Sequence, residues 1–327
     1  MNRRDTVLAF IALSTAPFVV RAQPADKLYR IGFLAGGGAP PDGAVPVPLR
    51  QAMRDLGYVE GKTVAYVGRW ADAKLERLPG LAAELIAQKV DVIVTLGGPG
   101  TVAARKATTT IPIIMAGPSG DAVATGLVAS LARPGGNVTG LSDDAGTLSA
   151  KRMQILKEAV PKAKRISILW NSDDNAMTLR YKEIENAARL LQVTVQPFGL
   201  REPGDFTTAF DTMTRERPDA LFLVADALTF QNRKRVADFA EQHRIPAMYE
   251  FGAWIQGGGL MAYGPSAEDS YRVVARFLDR IAKGAKPADL PVEQPTRYYL
   301  AINLKTAAAL GLTMPQSLMV RADEVIQ

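Results

Sequence analysis

Residues 90–98 read VDVIVTLGG: an acidic start, an apolar and β-branched run, and two glycines. That is the profile of a buried parallel strand running straight into a loop. A helical stretch over Thr101–Lys106 follows, and then TIPIIMAGPSGD, a second apolar strand that again ends on small residues and a proline. Two neighbouring strands thereby present bare backbone at their carboxyl ends, where open α/β sheets bind ligands. The pattern returns as PDALFLVAD, Pro218–Asp226, and as RIPAMYEFG, Arg244–Gly252. Aligning Asp91 with Asp219 sets Gly98 opposite Asp226, and aligning Pro112 with Pro246 sets Ala116 opposite Glu250. The chain is therefore expected to be a duplicated α/β protein, two Rossmann-like lobes with parallel sheets. Their strand edges face each other across a cleft, one bare and one carrying carboxylates and aromatics.

A length of 327 residues accommodates two such lobes, and 47% hydrophobic with 22% charged residues is a globular balance. The absence of cysteine removes disulfides and thiolate chemistry, and the single histidine, His243, removes a histidine metal cluster. Residues 1–22 have the form of a secretory signal: basic Arg3 and Arg4, an apolar run from Val7 to Val20, and the small-x-small site Val20-Arg21-Ala22. The run is too short for an ordinary membrane span, so the expected mature protein is exported to the periplasm, by the general or the twin-arginine route. The formal charge of +6, less the +2 carried by Arg3, Arg4, Arg21 and Asp5, leaves +4, too small an excess to indicate a nucleic-acid partner.

In chain order, IGFLAGGG, Ile31–Gly38, is the first strand and its glycine-rich exit. Ala39-Pro40-Pro41 interrupts any helix there, which argues against a dinucleotide loop. Helices are expected over Val47–Leu56 and Leu75–Gln88, a short one over Leu127–Ala132 stopped by Arg133-Pro134-Gly135-Gly136, and a long one over Thr147–Val160 opening the second lobe. In the second lobe RISILWNSDDN matches RIGFLAGGG in register and sets Asn171 opposite Gly36, and Ser172–Asn175 is rich in helix caps. Three crossings between lobes are placed at 142–146, 251–259 and 296–302, with Leu260–Tyr263 returning as a strand to the first lobe. The expected division is 23–143 with 260–286 for the N-terminal lobe, and 144–259 with 287–327 for the C-terminal lobe.

LGYVEGKTV, LPGLAAEL, VDVIVTLG, IPIIMAG, DAVATGLVASLARPGGNVTGLS and ALGLTMPQSLMVRADEVI together resemble the ABC-transporter substrate-binding protein family of the type that includes tryptophan- and other aromatic-amino-acid-binding members. The resemblance implies the class I periplasmic binding protein fold, two α/β lobes joined by three crossing segments. It implies capture of a small solute, delivery to the permease and ATPase of an importer, and no chemistry, with neither cofactor nor metal. A sensory protein docking on a membrane receptor fits the same residues, and a monomer is the expected state.

The candidate ligand residues follow from the two lips. On the first lobe they are Phe33, Gly36, Gly97, Gly98, Thr101, Ala116, Gly117 and Ser119, whose amides and hydroxyls suit a carboxylate. On the second they are Asn171, Asp226 and Glu250, with carboxylates for an ammonium group, and around the crossing that follows stand Phe251 and Tyr263, aromatics for a ring or apolar body. The combination fits an amino acid or an aromatic acid. Nucleophile elbows, phosphate loops and metal-ligand spacings are missing, so an enzyme is not expected.

Overall fold

The computed structural model of the protein describes residues 28–117, 120–142 and 145–327. The expected signal, Ser119, and Asp143 and Asp144 of the first crossing lie outside the described residues. In the first lobe, β1 (Tyr29–Ala35), α1 (Val47–Asp55), β2 (Val64–Trp70), α2 (Leu78–Ala87), β3 (Val92–Leu96), α3 (Gly98–Ala107), β4 (Ile113–Met115) and β5 (Val138–Gly140) alternate strand and helix through α3. The sheet order is β2-β1-β3-β4-β5 and every pairing is parallel. Along β1, Ile31, Phe33 and Ala35 join one core cluster and Leu34 the other. Both faces are covered, which is why the strands read as continuous apolar runs.

The second lobe begins with α4 (Ala145–Ala159), β6 (Arg165–Asn171), α5 (Asn175–Leu190), β7 (Thr194–Leu200), α6 (Asp205–Glu216), β8 (Ala220–Leu223), α7 (Ala227–Gln231), α8 (Arg233–Gln242), β9 (Ala247–Tyr249) and β10 (Met261–Gly264). The chain then gives α9 (Ala267–Ala282), β11 (Tyr299–Asn303), α10 (Leu304–Ala309), α11 (Gln316–Arg321) and β12 (Glu324–Ile326). The second sheet has the order β12-β11-β10-β9-β8-β6-β7, parallel except between β10 and β11. Helices α4 and α5 bury Met153, Leu156, Met177 and Ile184 on one face, while α6 and α8 bury Phe206, Met213, Val236 and Phe239 on the other.

Three expectations need correction. The strand at 260–263 does not return to the first lobe: β10 pairs with β9 and β11 inside the second sheet. The chain crosses only after it, at Pro265, because α9 buries Tyr271, Val274 and Leu278 with Leu49 and Met53 of α1. Correspondingly, Phe251–Gly259 is not a crossing but a turn of the second lobe, a 3-10 helix over Gly252–Gly257 with Trp254 in the core and Ile255 O receiving Asn303 Nδ2 at 3.1 Å. Nor do residues 287–293 belong to the second lobe. Leu290 and Val292 pack in first-lobe clusters, and Glu293 bridges Leu141 and exchanges backbone hydrogen bonds with Gly140 and Ser142.

The helix expected over Leu127–Ala132 is also absent. Residues 121–136 form turns in which Leu127 and Val128 plug the first-lobe core and Ala129 N donates to Pro134 O at 3.1 Å. With so few residues between Gly126 and Pro134, one backbone-closed loop satisfies more polar groups than a single helical turn would. Arg105 secures the loop from α3 by donating to Gly126 O and Leu127 O. Among the described residues no helix is long and apolar enough to cross a membrane.

Candidate functional site

The segments that follow β1 and β4 meet the helix starts that follow β8 and β6 where the two lobes touch. A Cβ placed on Gly36, just beyond β1, would stand 3.2 Å from the Cβ of Ala227, the first residue of α7. One placed on Gly120 would stand 2.7 Å from the Cβ of Ala176 near the start of α5. The small residues of the first-lobe lip thus lie against helix N-termini of the second lobe. Two surface hollows, about 440 Å³ beside Phe198 and Arg201 and about 360 Å³ beside Arg105 and Asn137, each draw their lining from a single lobe, so neither is this interlobe site.

On the first lobe, Gly97 at φ 95° caps α3, a backbone conformation that glycine adopts without a Cβ penalty. Gly98 and Gly100, the first amides of the helix with N–H groups, are buried behind it. Thr101 is fully buried and its hydroxyl is engaged locally, 2.7 Å from Thr95 Oγ1 and 3.1 Å from Gly97 O. It shapes the turn. Ala116 is buried after β4, its N–H on Thr95 O at 2.9 Å, and Gly117 follows against Leu96. Phe33 is not at the lip: it lies two residues before the end of β1, pointing into the core under α1 and α9.

On the second lobe, the register that ends β6 at Asn171 and β8 at Leu223 brings Asn171 against Asp226, with Asn171 Nδ2 donating to Asp226 Oδ2 at 2.5 Å. Asp226 also caps α7 in a reciprocal box: its carboxylate accepts from Thr229 N at 2.8 Å while Thr229 Oγ1 receives Asp226 N at 2.9 Å. Asp174, buried beside it, caps α5 by accepting from Ala176 N at 2.9 Å. Burial, then the charge of Asp226, pushes Asp174 up to about 6. Burial raises Asp226 as well, although the residue keeps some exposed surface and accepts several hydrogen bonds. Two carboxyls that resist sharing their negative charge are suited to a cation.

Glu250 is not available for a ligand ammonium in the way its strand-end position implied. It is fully buried between two guanidinium groups, Arg152 Nη1 on Oε1 at 3.2 Å and Arg180 Nη1 on Oε2 at 2.5 Å. Arg152 comes from α4 and Arg180 from α5, each 2% exposed, and Arg152 Nε also donates to Tyr263 O at 2.6 Å. This triad ties α4, α5, β9 and β10 together behind the lip. The sequence reading missed both arginines, yet a signal was present. Arg152 stands at helical spacing with Leu148, Ile155 and Ala159, and Arg180 with Met177, Ile184 and Ala187, so each places a charge on a buried stripe. Phe251 is partly buried ahead of the 3-10 turn, and Tyr263 is partly exposed with its ring 6.0 Å from that of Tyr298, beside the crossings.

A family model described as ABC transporter substrate binding protein matches residues 47–326. The chain is 26% identical over 262 residues to a tyrosine-binding protein of Clostridioides difficile, covering 80% of this chain and 75% of that one. Among solved structures, an ABC domain from Streptococcus pneumoniae in complex with L-Trp aligns with a TM-score of 0.84 at 25% identity, over 91% of this chain and all of that one. A ligand-free, open substrate binding protein with adhesive properties from Clostridium difficile, 23% identical, aligns over 92% of this chain and all of that one with a TM-score of 0.64. The two parallel-sheet lobes are those of a class I periplasmic binding protein, and the chain belongs to the ABC transporter substrate binding protein family.

Proposed function

We propose that this protein is the periplasmic solute-binding component of an ABC importer, that it captures an amino acid with an aromatic or apolar side chain, and that capture proceeds by hinge closure of the two lobes. It performs no chemistry on the solute. It hands the closed, loaded form to a membrane permease driven by an ATPase. The observation that carries the reading is the asymmetry of the two lips: enclosed carboxyls with raised pKa on the second lobe, and a glycine-rich helix start on the first. In this assignment Asp226, held by Asn171, meets the ammonium group, with Asp174 adding negative potential behind it. The amides of Gly98 and Gly100 at the start of α3 meet the carboxylate, helped by the positive end of the helix. Phe251 and Tyr263 flank the side chain. The L-Trp complex and the tyrosine-binding relative support this ligand class.

The test is a thermal-shift screen of the chain from residue 23, unfolded and refolded to strip carried-over solute, against amino acids, aromatic acids, sugars and nucleosides. A ligand present at a hundred times its Kd adds about 2.7 kcal/mol, a rise of about 5 °C for a chain of this size. A selective shift with L-tryptophan, L-tyrosine or L-phenylalanine is the expected result. A shift with sugars or nucleosides alone would overturn the ligand class.

A further inference from the structure

The short helix α7 touches both the ligand lip and the opposite lobe. Its cap, Asp226, belongs to the lip. Its residues Ala227 and Gln231, four apart and so on one face, reach the first lobe. There, two loops are stapled to each other: Ala71 N donates to Ala35 O at 3.0 Å, Asp72 N to Gly37 O at 3.0 Å and Ala73 N to Gly36 O at 2.7 Å. Asp72 and Ala73 hold φ of 54° and 60°, a left-handed pair that side chains disfavour, and Arg77 braces the turn through Asp72 at 2.7 Å. Ala73 N is thus already engaged on Gly36 O within the first lobe, with Gly38 N close beside it. Oriented to satisfy its surroundings, the Gln231 amide oxygen accepts from Gly38 N at 3.0 Å and from Ala73 N at 3.2 Å. Four residues earlier, Ala227 meets the bare face of Gly36 at 3.2 Å, and Ala73 itself packs against the second-lobe core.

Resting on the reading that the lobes close on a ligand, we infer that α7 is the closure latch. Gln231 acts as a positioning residue that grips the stapled loops of the first lobe, while Gly36 is small so that Ala227 can seat. The arrangement joins recognition to closure in one rigid piece, since the carboxylate that meets the ligand is the cap of the helix that grips the other lobe. A latch of this kind stabilises only the closed form. Its loss lowers the closed population, and the apparent affinity falls by the same factor.

The absence of cysteine from the chain permits a clean trap. In a Gly36→Cys/Ala227→Cys double variant the two Cβ atoms stand near disulfide range when the lobes are closed and separate when they open. The rate of disulfide formation under a mild oxidant, read by the loss of free thiol, is measured with no ligand, with L-tryptophan and with L-tyrosine. The same series is repeated with Gln231→Leu added. Expected are trapping in the double variant and a threefold to tenfold slower rate with Gln231→Leu, about the effect of losing the one hydrogen bond from Gly38 N, since Ala73 N keeps Gly36 O. The melting temperature of the reduced protein should stay unchanged. Absence of trapping in all conditions would overturn the α7 contact, and an equal rate with Gln231→Leu would overturn the latch role of Gln231. Trapping that depends on Gln231 but is not accelerated by either amino acid would keep the latch and overturn the ligand class.

Discussion

Glu250 holds its place between Arg152 and Arg180 where water is excluded, and that decides how its substitution reads. Removing one member of a buried ionic group leaves the others without their counter-charge, a loss of about 3–5 kcal/mol. Glu250→Gln should therefore lower the urea-unfolding free energy by that amount, and any loss of binding in it reports a damaged scaffold. Asp226→Asn is the milder experiment: asparagine still caps α7 with its one oxygen, so the charge and the single hydrogen bond from Asn171 are lost while the helix start is kept. Binding of L-tryptophan or L-tyrosine should weaken more than tenfold by calorimetry, while the unfolding free energy falls by only about 1–2 kcal/mol, less than in Glu250→Gln. Asp174 gives a pH signature. Its folded value of about 6 lies above its ordinary 3.8, first through burial and next through Asp226. The folded protein holds that proton more tightly than the unfolded chain, so the contribution is fully present below pH 4 and is lost as pH rises through 6. The stability of the parent relative to Asp174→Asn should accordingly fall by up to about 3 kcal/mol from pH 4 to pH 7, with Arg180 and the amides of Ala176 and Met177 opposing the shift. Asp226 was legible in the sequence as a strand-end carboxylate. The commitment of Glu250 was not, because its partners stand 98 and 70 residues away and only the misfit of two arginines on apolar helix stripes hinted at them.

Among the elements, the strands and long helices were legible because each buries a face at its own period: Leu78, Leu81 and Leu85 on α2, or Phe206, Ala209 and Met213 on α6. The sheet to which β10 belongs was not. An apolar strand carries its orientation in its residue pattern, but not the identity of its neighbour, and Met261–Gly264 is compatible with either sheet until Glu250 and Gly264 are seen in contact. That contact is the sharpest packing constraint in the second lobe. A Cβ on Gly264 would lie 1.9 Å from the carbonyl oxygen of Glu250, a backbone atom that cannot step aside without parting β9 from β10 and disturbing Arg152 at 3.4 Å. Gly264→Ala should cost more than about 3 kcal/mol, read as a collapse of the urea midpoint or of folded yield. Gly80 on α2 meets nothing within 4 Å, and Gly80→Ala should instead raise stability by about 0.5–1 kcal/mol, which makes it the control for the assay.

At the scale of the whole molecule, the alignment of two lips was readable from the repeat, but the meaning of their small residues was only half readable. Gly36 and Gly120 look like space left for a ligand. In the folded protein they are space left for the other lobe, filled by Ala227 and Ala176. In the function proposed above, this contact between the lobes belongs to the closed form. A ligand that bridges the lips favours this form only by its differential affinity for it, and moving the equilibrium from mostly open to mostly closed takes about 5.5 kcal/mol, well within the reach of an ammonium and a carboxylate each bound from one side. Small-angle scattering of the refolded chain from residue 23 should then give a radius of gyration that falls towards about 19 Å, the value for a compact chain of this length, when L-tryptophan or L-tyrosine is added. Gln231→Leu should raise the ligand concentration needed for that contraction without changing its end point, because the latch shifts the balance between forms and leaves the forms themselves intact. A radius that is the same with and without a ligand known to bind would mean that recognition occurs on one lobe alone, and hinge closure would have to be given up.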